Sequence, residues 1–352
     1  MSLTVERRIE ELLSDAERRG SCCVPGDRAT RAAMRRRAGE VTEPIRGIFV
    51  RGEVWERLEP PDKMMHLMRA VATLRPTWRF CGASAAVAYG LPVTRELLDE
   101  VSVAAPPGAV HQATGGIVRH HIADDAVEMC GGLPLVPFWR TVFDCLASFE
   151  LPDALAIADA ALKVGRLSAR GLAGFLAEEY RGRPGVRRAL GAAVLADARA
   201  ESGGESIARA TMFQLGFAKP ELQVWIEDPV EPGKWFRVDF LWLTEDGRLV
   251  IGELDGRQKT SRPDLMGGRD ALRVMQDERL RESHLTALRP AIVRFSYDDA
   301  RDPARLGPLL ERFGVPRGSD TWPTEAPTIV TRSSRLDYAE GRLRIVRATA
   351  RA

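Results

Sequence analysis

The chain has 352 residues, of which 45% are hydrophobic and 28% charged, and its formal net charge is +2 at pH 7. That length supports two or three domains with sizeable cores, and the near balance of charge leaves any attraction to nucleic acid to local patches, not to a global field. No apolar run approaches a membrane span, the charged start MSLTVERRIEELL reads as a helix and not as a secretory signal, and the five cysteines lack zinc-type spacing, so the expectation is a cytoplasmic protein with reduced thiols, no membrane partner and no nucleotide cofactor.

Residues 4–19 place Val5, Ile9, Leu12, Leu13 and Ala16 on one helical face. A second helical run over 29–38 carries, with the residue before it, Arg28, Arg31, Arg35, Arg36 and Arg37, and IRGIFVR at 45–51 reads as a short strand pair. Helix, arginine-rich helix and wing suggest a winged helix-turn-helix at 1–58, in which those five arginines are the candidate DNA contacts. The plainer alternative is a solvated basic face, as such charge runs usually are.

From 59 to 150 come the helix MMHLMRAVATL, the segment GASAAVAYGLP, the strands EVSVAAP and GIVRHHI, and RTVFD within a last helix. These pieces, with the helices and wing before them, resemble the AbiEi-type antitoxin family of type IV toxin-antitoxin systems over roughly residues 5–150. The resemblance implies a winged helix followed by a mixed α/β region, binding of DNA to repress the protein's own operon, and a toxin or defence-system partner. Ser84, Arg140, Thr141 and Asp144 have no acid–base or nucleophile pattern around them and are expected to maintain the fold through caps and local ion pairs.

Residues 151–197 are rich in alanine and leucine with helical periodicity, punctuated by Gly165-Arg166 and Gly182-Arg183-Pro184. They read as a helical connector, with Asp159 and Glu178-Glu179 on solvated faces. The next domain, 198–315, is centred on WFRVDFLWLTEDGRLVIGELDGRQK at 235–259. Phe236, Val238, Phe240 and Trp242 alternate with Arg237, Asp239 and Leu241, as in a strand with one well-buried face; Leu249 to Leu254 is a second strand. Glu245-Asp246-Gly247 fits a three-residue hairpin loop with glycine in the left-handed region. That loop pairs Thr244 with Arg248 and sets Asp239 opposite Glu253, their Cβ atoms roughly 5 Å apart on one face, with Asp255 joining them. Two such carboxylates repel unless a cation lies between them, and Mg²⁺ or Mn²⁺ prefers oxygen ligands. Alternatively, the edge faces solvent, with Arg237 and Arg248 neutralising the acids.

Glu205 in SGGES, Gln223 in ELQVWI, Asp239 in RVDFLW, the run GELDGRQK, the charged helix around 278–282 and the strand IVRF come in an order that resembles the PD-(D/E)xK nuclease superfamily, in particular its small Vsr-like members, over roughly 198–300. The resemblance implies a restriction-endonuclease-like α/β domain and divalent-metal-dependent cleavage of DNA phosphodiesters. In it, Asp239, Glu253 and Glu205 hold the metal, and Gln223 holds a water or a phosphate oxygen. The chain departs from the superfamily pattern in having Asp255 where a lysine is expected, so that Lys259, from the following loop, would have to serve. Ser202 to Glu205 also fits a helix capping box, which would by itself account for that acid.

The whole is therefore expected to be an α/β protein of mixed α+β type: winged helix, AbiEi-like region, helical connector, nuclease-like domain, and a basic, loosely ordered tail at 316–352. If the nuclease site is active, the protein is a Mg²⁺- or Mn²⁺-dependent endodeoxyribonuclease; otherwise it is a DNA-binding antitoxin and autoregulator with a degenerate nuclease fold.

Overall fold

A computed structural model describes residues 3–105, 115–122, 125–255, 276, 279–318, 322, 335–337 and 344–347. The chain is mixed α/β and divides into two compact units, 1–145 and 146–352. Among the described residues no helix is long and apolar enough to cross a membrane.

The first unit begins with α1 (Leu3–Arg18), α2 (Arg28–Arg35) and the antiparallel strands β1 (Val41–Ile45) and β2 (Ile48–Arg51). Asp27 starts α2 by accepting the Thr30 backbone N–H at 2.7 Å, which satisfies one of the donors left open at any helix start. Ile9 and Leu13 of α1 meet Ala33 and Met34 of α2 and Phe49 of β2 in a small core. Around it Arg51 binds Glu10 and Glu17, each at 2.6 Å, so helix and hairpin are tied by charge as well as by burial.

After α3 (Gly52–Arg57) and α4 (Pro60–Leu74) comes a mixed five-stranded sheet in the order β5-β4-β3-β7-β6, made of β3 (Arg79–Phe80), β4 (Val101–Ala105), β5 (Ile117–His121), β6 (Glu128–Cys130) and β7 (Leu133–Leu135). Helix α5 (Gly82–Ala88) packs on β4, and α6 (Phe138–Ser148) follows β7. The polar residues here hold the fold, as their surroundings in the sequence predict. Ser84 Oγ accepts the Ser102 N–H at 2.8 Å, Thr141 donates to the Val136 carbonyl at 3.0 Å, and Arg140 pairs with Asp144 at 2.8 Å.

The second unit opens with α7 (Leu151–Gly165), α8 (Ala169–Glu179) and α9 (Val186–Leu195). Helix α7 packs along α10 (Gly203–Gln214) within the same unit as the strands that follow. The reason is a buried ion pair that the Ala/Leu pattern hides. Asp159, expected on a solvated face, is 2% exposed and binds Arg209 of α10, itself 0% exposed, at 2.7 Å.

A six-stranded sheet follows in the order β11-β10-β9-β8-β13-β12. Strands β8 (Glu221–Glu227), β9 (Trp235–Leu243) and β10 (Leu249–Asp255) form an antiparallel meander; after the helical residues 279–285 (α11), β11 (Ala291–Ser296) lies parallel to β10. Helices α12 (Tyr297–Arg301) and α13 (Pro303–Arg312) pack with α10. In the stretch expected as a loose tail, β12 (Arg335–Asp337) and β13 (Arg344–Arg347) pair with each other, and β13 pairs with β8, extending the sheet.

Both faces of this sheet are buried. Phe240, Trp242, Val250 and Phe295 meet Ala208 and Met212 of α10 on one side, and Val224, Val238, Leu241 and Ile251 meet Leu285 of α11 on the other. The sequence reading of one buried face for Phe236, Val238, Phe240 and Trp242 is thereby corrected: the first two join the α11 core and the last two the α10 core. The switch falls at Asp239.

Candidate metal and phosphate site

The hairpin is built as the spacing predicts. Gly247 sits at φ 82°, Thr244 N–H donates to the Arg248 carbonyl at 3.0 Å, and the register runs Leu243↔Leu249 to Phe240↔Gly252. Gly252 makes a close approach there, since a Cβ on it would lie 3.0 Å from the Trp242 ring and 3.1 Å from Phe240 Cβ. The ladder ends at this pair, and Asp239 and Glu253 are the next residues on either strand.

At this point the alternation of β8 and β9 reverses together. Leu222 lies in the α10 core and Val224 in the α11 core, as do Phe240 and Val238 opposite them, and Gln223 between them adopts φ 52°. A residue with a Cβ avoids that left-handed region unless its surroundings hold it there. What holds Gln223 is a pair of carboxylates. Its side-chain amide donates to Glu205 Oε2 at 3.0 Å and to Asp239 Oδ1 at 3.3 Å, while its own Oε1 is buried with no partner among the described residues.

Ser202 forms the expected cap, but Glu205 does not close the expected capping box: no bond runs from the Ser202 backbone N–H to its carboxylate among the described residues. Ser202 caps α10 by accepting the Glu205 N–H and donates its hydroxyl to Glu205 Oε1 at 3.0 Å; Glu205 Oε2 accepts the Glu201 N–H at 2.9 Å and also the Gln223 amide. Its carboxyl is raised above the ordinary glutamate range, first by burial and further by the nearby Asp239 charge, against the hydrogen bonds from Glu201 and Gln223. Asp239 Oδ2 accepts the Leu254 N–H at 3.1 Å, taking the place of the ladder bond that stops there.

Glu253 has different partners. One of its oxygens takes Arg281 of α11 at 2.5 Å and the other Arg294 of β11 at 3.1 Å, and Arg281 also reaches the Arg237 carbonyl at 2.7 Å. Among the described residues the hydrogen bonds of Asp239 and Glu253 go to different partners, and the expected pairing of the two stands one step past the last ladder pair, Phe240↔Gly252. The structure joins Glu205, Gln223 and Asp239 in one chain of hydrogen bonds and sets Glu253 among guanidinium groups. Asp255 is exposed at the end of β10 beside Ser296, and Lys259 lies outside the described residues.

All-oxygen donors suit a hard divalent cation. Two carboxylates and the Gln223 amide come together at Glu205 and Asp239; the amide nitrogen faces both acids, so the three offer an all-oxygen set once the amide turns over to present Oε1. Among the described residues the group whose ligand atoms all lie within 4.8 Å of one another is another one: Asp228, Glu231 and His284. Sequence reasoning missed it because Asp228 and Glu231 lie in the β8–β9 turn and His284 on α11, 56 positions on from Asp228.

Of the arginines expected at DNA, Arg35 is bound to Glu43 at 2.6 Å, and Arg37 to Glu10 at 2.6 Å and Glu40 at 2.7 Å. Arg31 donates to the Asp27 carbonyl at 3.2 Å, and Arg28 and Arg36 are exposed and make no ion pair among the described residues.

No family model and no solved structure matches the chain. Over 238 residues it is 32% identical to two proteins of Mycobacterium tuberculosis, "Uncharacterized protein MT2308" of strain CDC 1551 / Oshkosh and "Uncharacterized protein Rv2248" of strain H37Rv, a match that covers 66% of this chain and 79% of each relative. At that identity and coverage the chain belongs to the family of these two mycobacterial proteins.

Proposed function

We propose that the second unit is a divalent-cation-dependent phosphodiesterase acting on DNA, with Glu205, Gln223 and Asp239 holding Mg²⁺ or Mn²⁺. One observation carries this reading: a strained, buried glutamine at φ 52° holds two acids together through its amide nitrogen, while its amide oxygen has no partner among the described residues. Strain of this kind persists where the surroundings over-determine it, and it gathers at functional sites. A bound cation would supply a hydroxide near neutral pH and offset charge on the scissile phosphate. Glu253, with each oxygen on a guanidinium, is assigned instead to positioning Arg281 and Arg294, whose charge and forked donors suit a phosphate. The raised Glu205 carboxyl gives the site a group that carries a proton at higher pH than an ordinary glutamate does.

In the first unit, α2 and the β1–β2 hairpin are proposed as a winged-helix DNA contact, led by Arg28 and Arg36, which are exposed and make no ion pair among the described residues. The test is nicking of supercoiled plasmid with Mn²⁺ or Mg²⁺. Wild type is expected to cut, and Asp239→Ala and Glu253→Ala to lose activity by at least about 100-fold.

A second reading has its own support. The paired arginines on Glu253 and the aspartate at position 255, where a lysine is expected, favour a non-enzymatic DNA-binding regulator of a toxin-antitoxin system. A wild-type protein inert with both metals that still shifts DNA with a steep salt dependence would select it.

A further inference from the structure

We propose that Asp228, Glu231 and His284 form a second metal centre, separate from Glu205, Gln223 and Asp239, which takes a transition-metal dication such as Zn²⁺ and fastens the β8–β9 turn to α11. Two of the three ligands are set from inside and one from outside: Asp228 is 2% exposed, His284 is 9% exposed, and Glu231 lies on the surface. The carboxylate of Asp228 is already oriented. Its Oδ1 accepts the N–H groups of Val230 at 2.8 Å and Glu231 at 3.2 Å, which leaves Oδ2 facing His284 Nδ1 at 2.8 Å. Backbone support of that kind is what fixes a metal-binding carboxylate. The Phe236 ring, 6.3 Å from the imidazole in an edge-to-face arrangement, restrains the histidine.

The donor set decides which metal fits. An imidazole nitrogen with two carboxylates suits Zn²⁺, Co²⁺ or Ni²⁺, whereas Mg²⁺ favours oxygen alone. Tetrahedral ligands at zinc-type bond lengths stand about 3.4 Å apart. The Nδ1···Oδ2 pair therefore opens by about 0.6 Å when the cation enters and the Nδ1 proton leaves to solvent. Glu231 is available for this, because its contact with Lys234 is a long, exposed pair at 3.7 Å of the sort that contributes little. The consequence reaches the neighbouring site through α11, which carries both His284 and the Arg281 that binds Glu253 and the Arg237 carbonyl. A clasp at His284 holds that arginine in place. The inference does not depend on the proposed cleavage activity.

The experiment is a Co²⁺ titration of the full chain after chelation, read by visible ligand-field absorption and by calorimetry, with Zn²⁺ as competitor. One equivalent is expected to give the intense low-coordinate spectrum and to be displaced by Zn²⁺, any Co²⁺ taken up at the all-oxygen site giving only weak octahedral absorption. Binding should weaken by at least about tenfold in His284→Ala and in Glu231→Gln and stay unchanged in Asp239→Asn. A wild type without the absorption band, or a Glu231→Gln protein that binds as wild type does, overturns the proposal. Glu231 is exposed, so its variant folds and decides the matter if His284→Ala does not. Loss of the band in Asp239→Asn would overturn the separateness of the two centres.

Discussion

Replacing Gln223 by glycine and, separately, by alanine tests whether this residue is held against its backbone preference. Gln223 sits at φ 52° in the middle of β8 and is 2% exposed. A residue with a Cβ loses about 1–2 kcal/mol in the left-handed region, and glycine loses none. In an ordinary strand the order is the opposite, since glycine there is less stable than alanine by about 0.5–1 kcal/mol. Both variants delete the same side chain and the same hydrogen bonds, at 3.0 Å to Glu205 and 3.3 Å to Asp239, so their difference isolates the backbone. The glycine protein should be the more stable of the two by about 1 kcal/mol, and both should fall below wild type, because hydrogen bonds to charged groups contribute about 1.5–3 kcal/mol each. Urea unfolding followed by tryptophan fluorescence resolves this as a midpoint difference of about 0.4 M, for a slope of about 2–3 kcal/mol/M. An alanine variant as stable as the glycine variant, or more so, would refute the reasoning, because the strain attributed to the two acids would then be absent.

Arg209→Leu should cost about 3–5 kcal/mol, since it strands Asp159, which burial already pushes up to about 6 against the pull of Arg209, and urea unfolding at neutral pH reads the loss. A change below about 1 kcal/mol would show that the pair is not buried as a unit. Gly252→Ala should destabilise by about 1–3 kcal/mol through the contacts at 3.0 Å and 3.1 Å with Trp242 and Phe240, and a neutral outcome in the same assay contradicts the packing. Glu205 has a raised carboxyl, so its stabilising contribution is present below the unfolded value and is lost as pH rises through the folded one. Wild type should therefore lose stability relative to Glu205→Gln as pH rises above the ordinary glutamate value of about 4.3, measured as the difference in unfolding free energy against pH; a flat difference would mean the carboxyl is not shifted.

What the sequence made legible follows from how local the controlling interaction is. The turn at Gly247 and the hairpin register are set by a few consecutive residues, and they appear where the spacing puts them. The Ser202 cap of α10 is equally local. The direction of Asp239 is not, because it depends on a backbone reversal at Gln223 on another strand, and a run such as FRVDFLW reads as unbroken alternation whether or not such a switch occurs. Asp159 was read as solvated because a lone acid in an Ala/Leu helix usually is; its partner Arg209 lies 50 positions away. The guanidinium partners of Glu253 come from α11 and β11, and the Asp228–His284 pair spans the turn and α11, so none of these shows as spacing along the chain.

The account rests on a cation held by Glu205, Gln223 and Asp239, and anomalous diffraction from a crystal soaked in Mn²⁺ measures it most directly. The predicted map has a peak at about 2.2 Å from an Asp239 oxygen and from Gln223 Oε1, with Glu205 at that distance or joined through water. A map with no peak at these residues, at a Mn²⁺ concentration that fills other carboxylate sites in the same crystal, would contradict it.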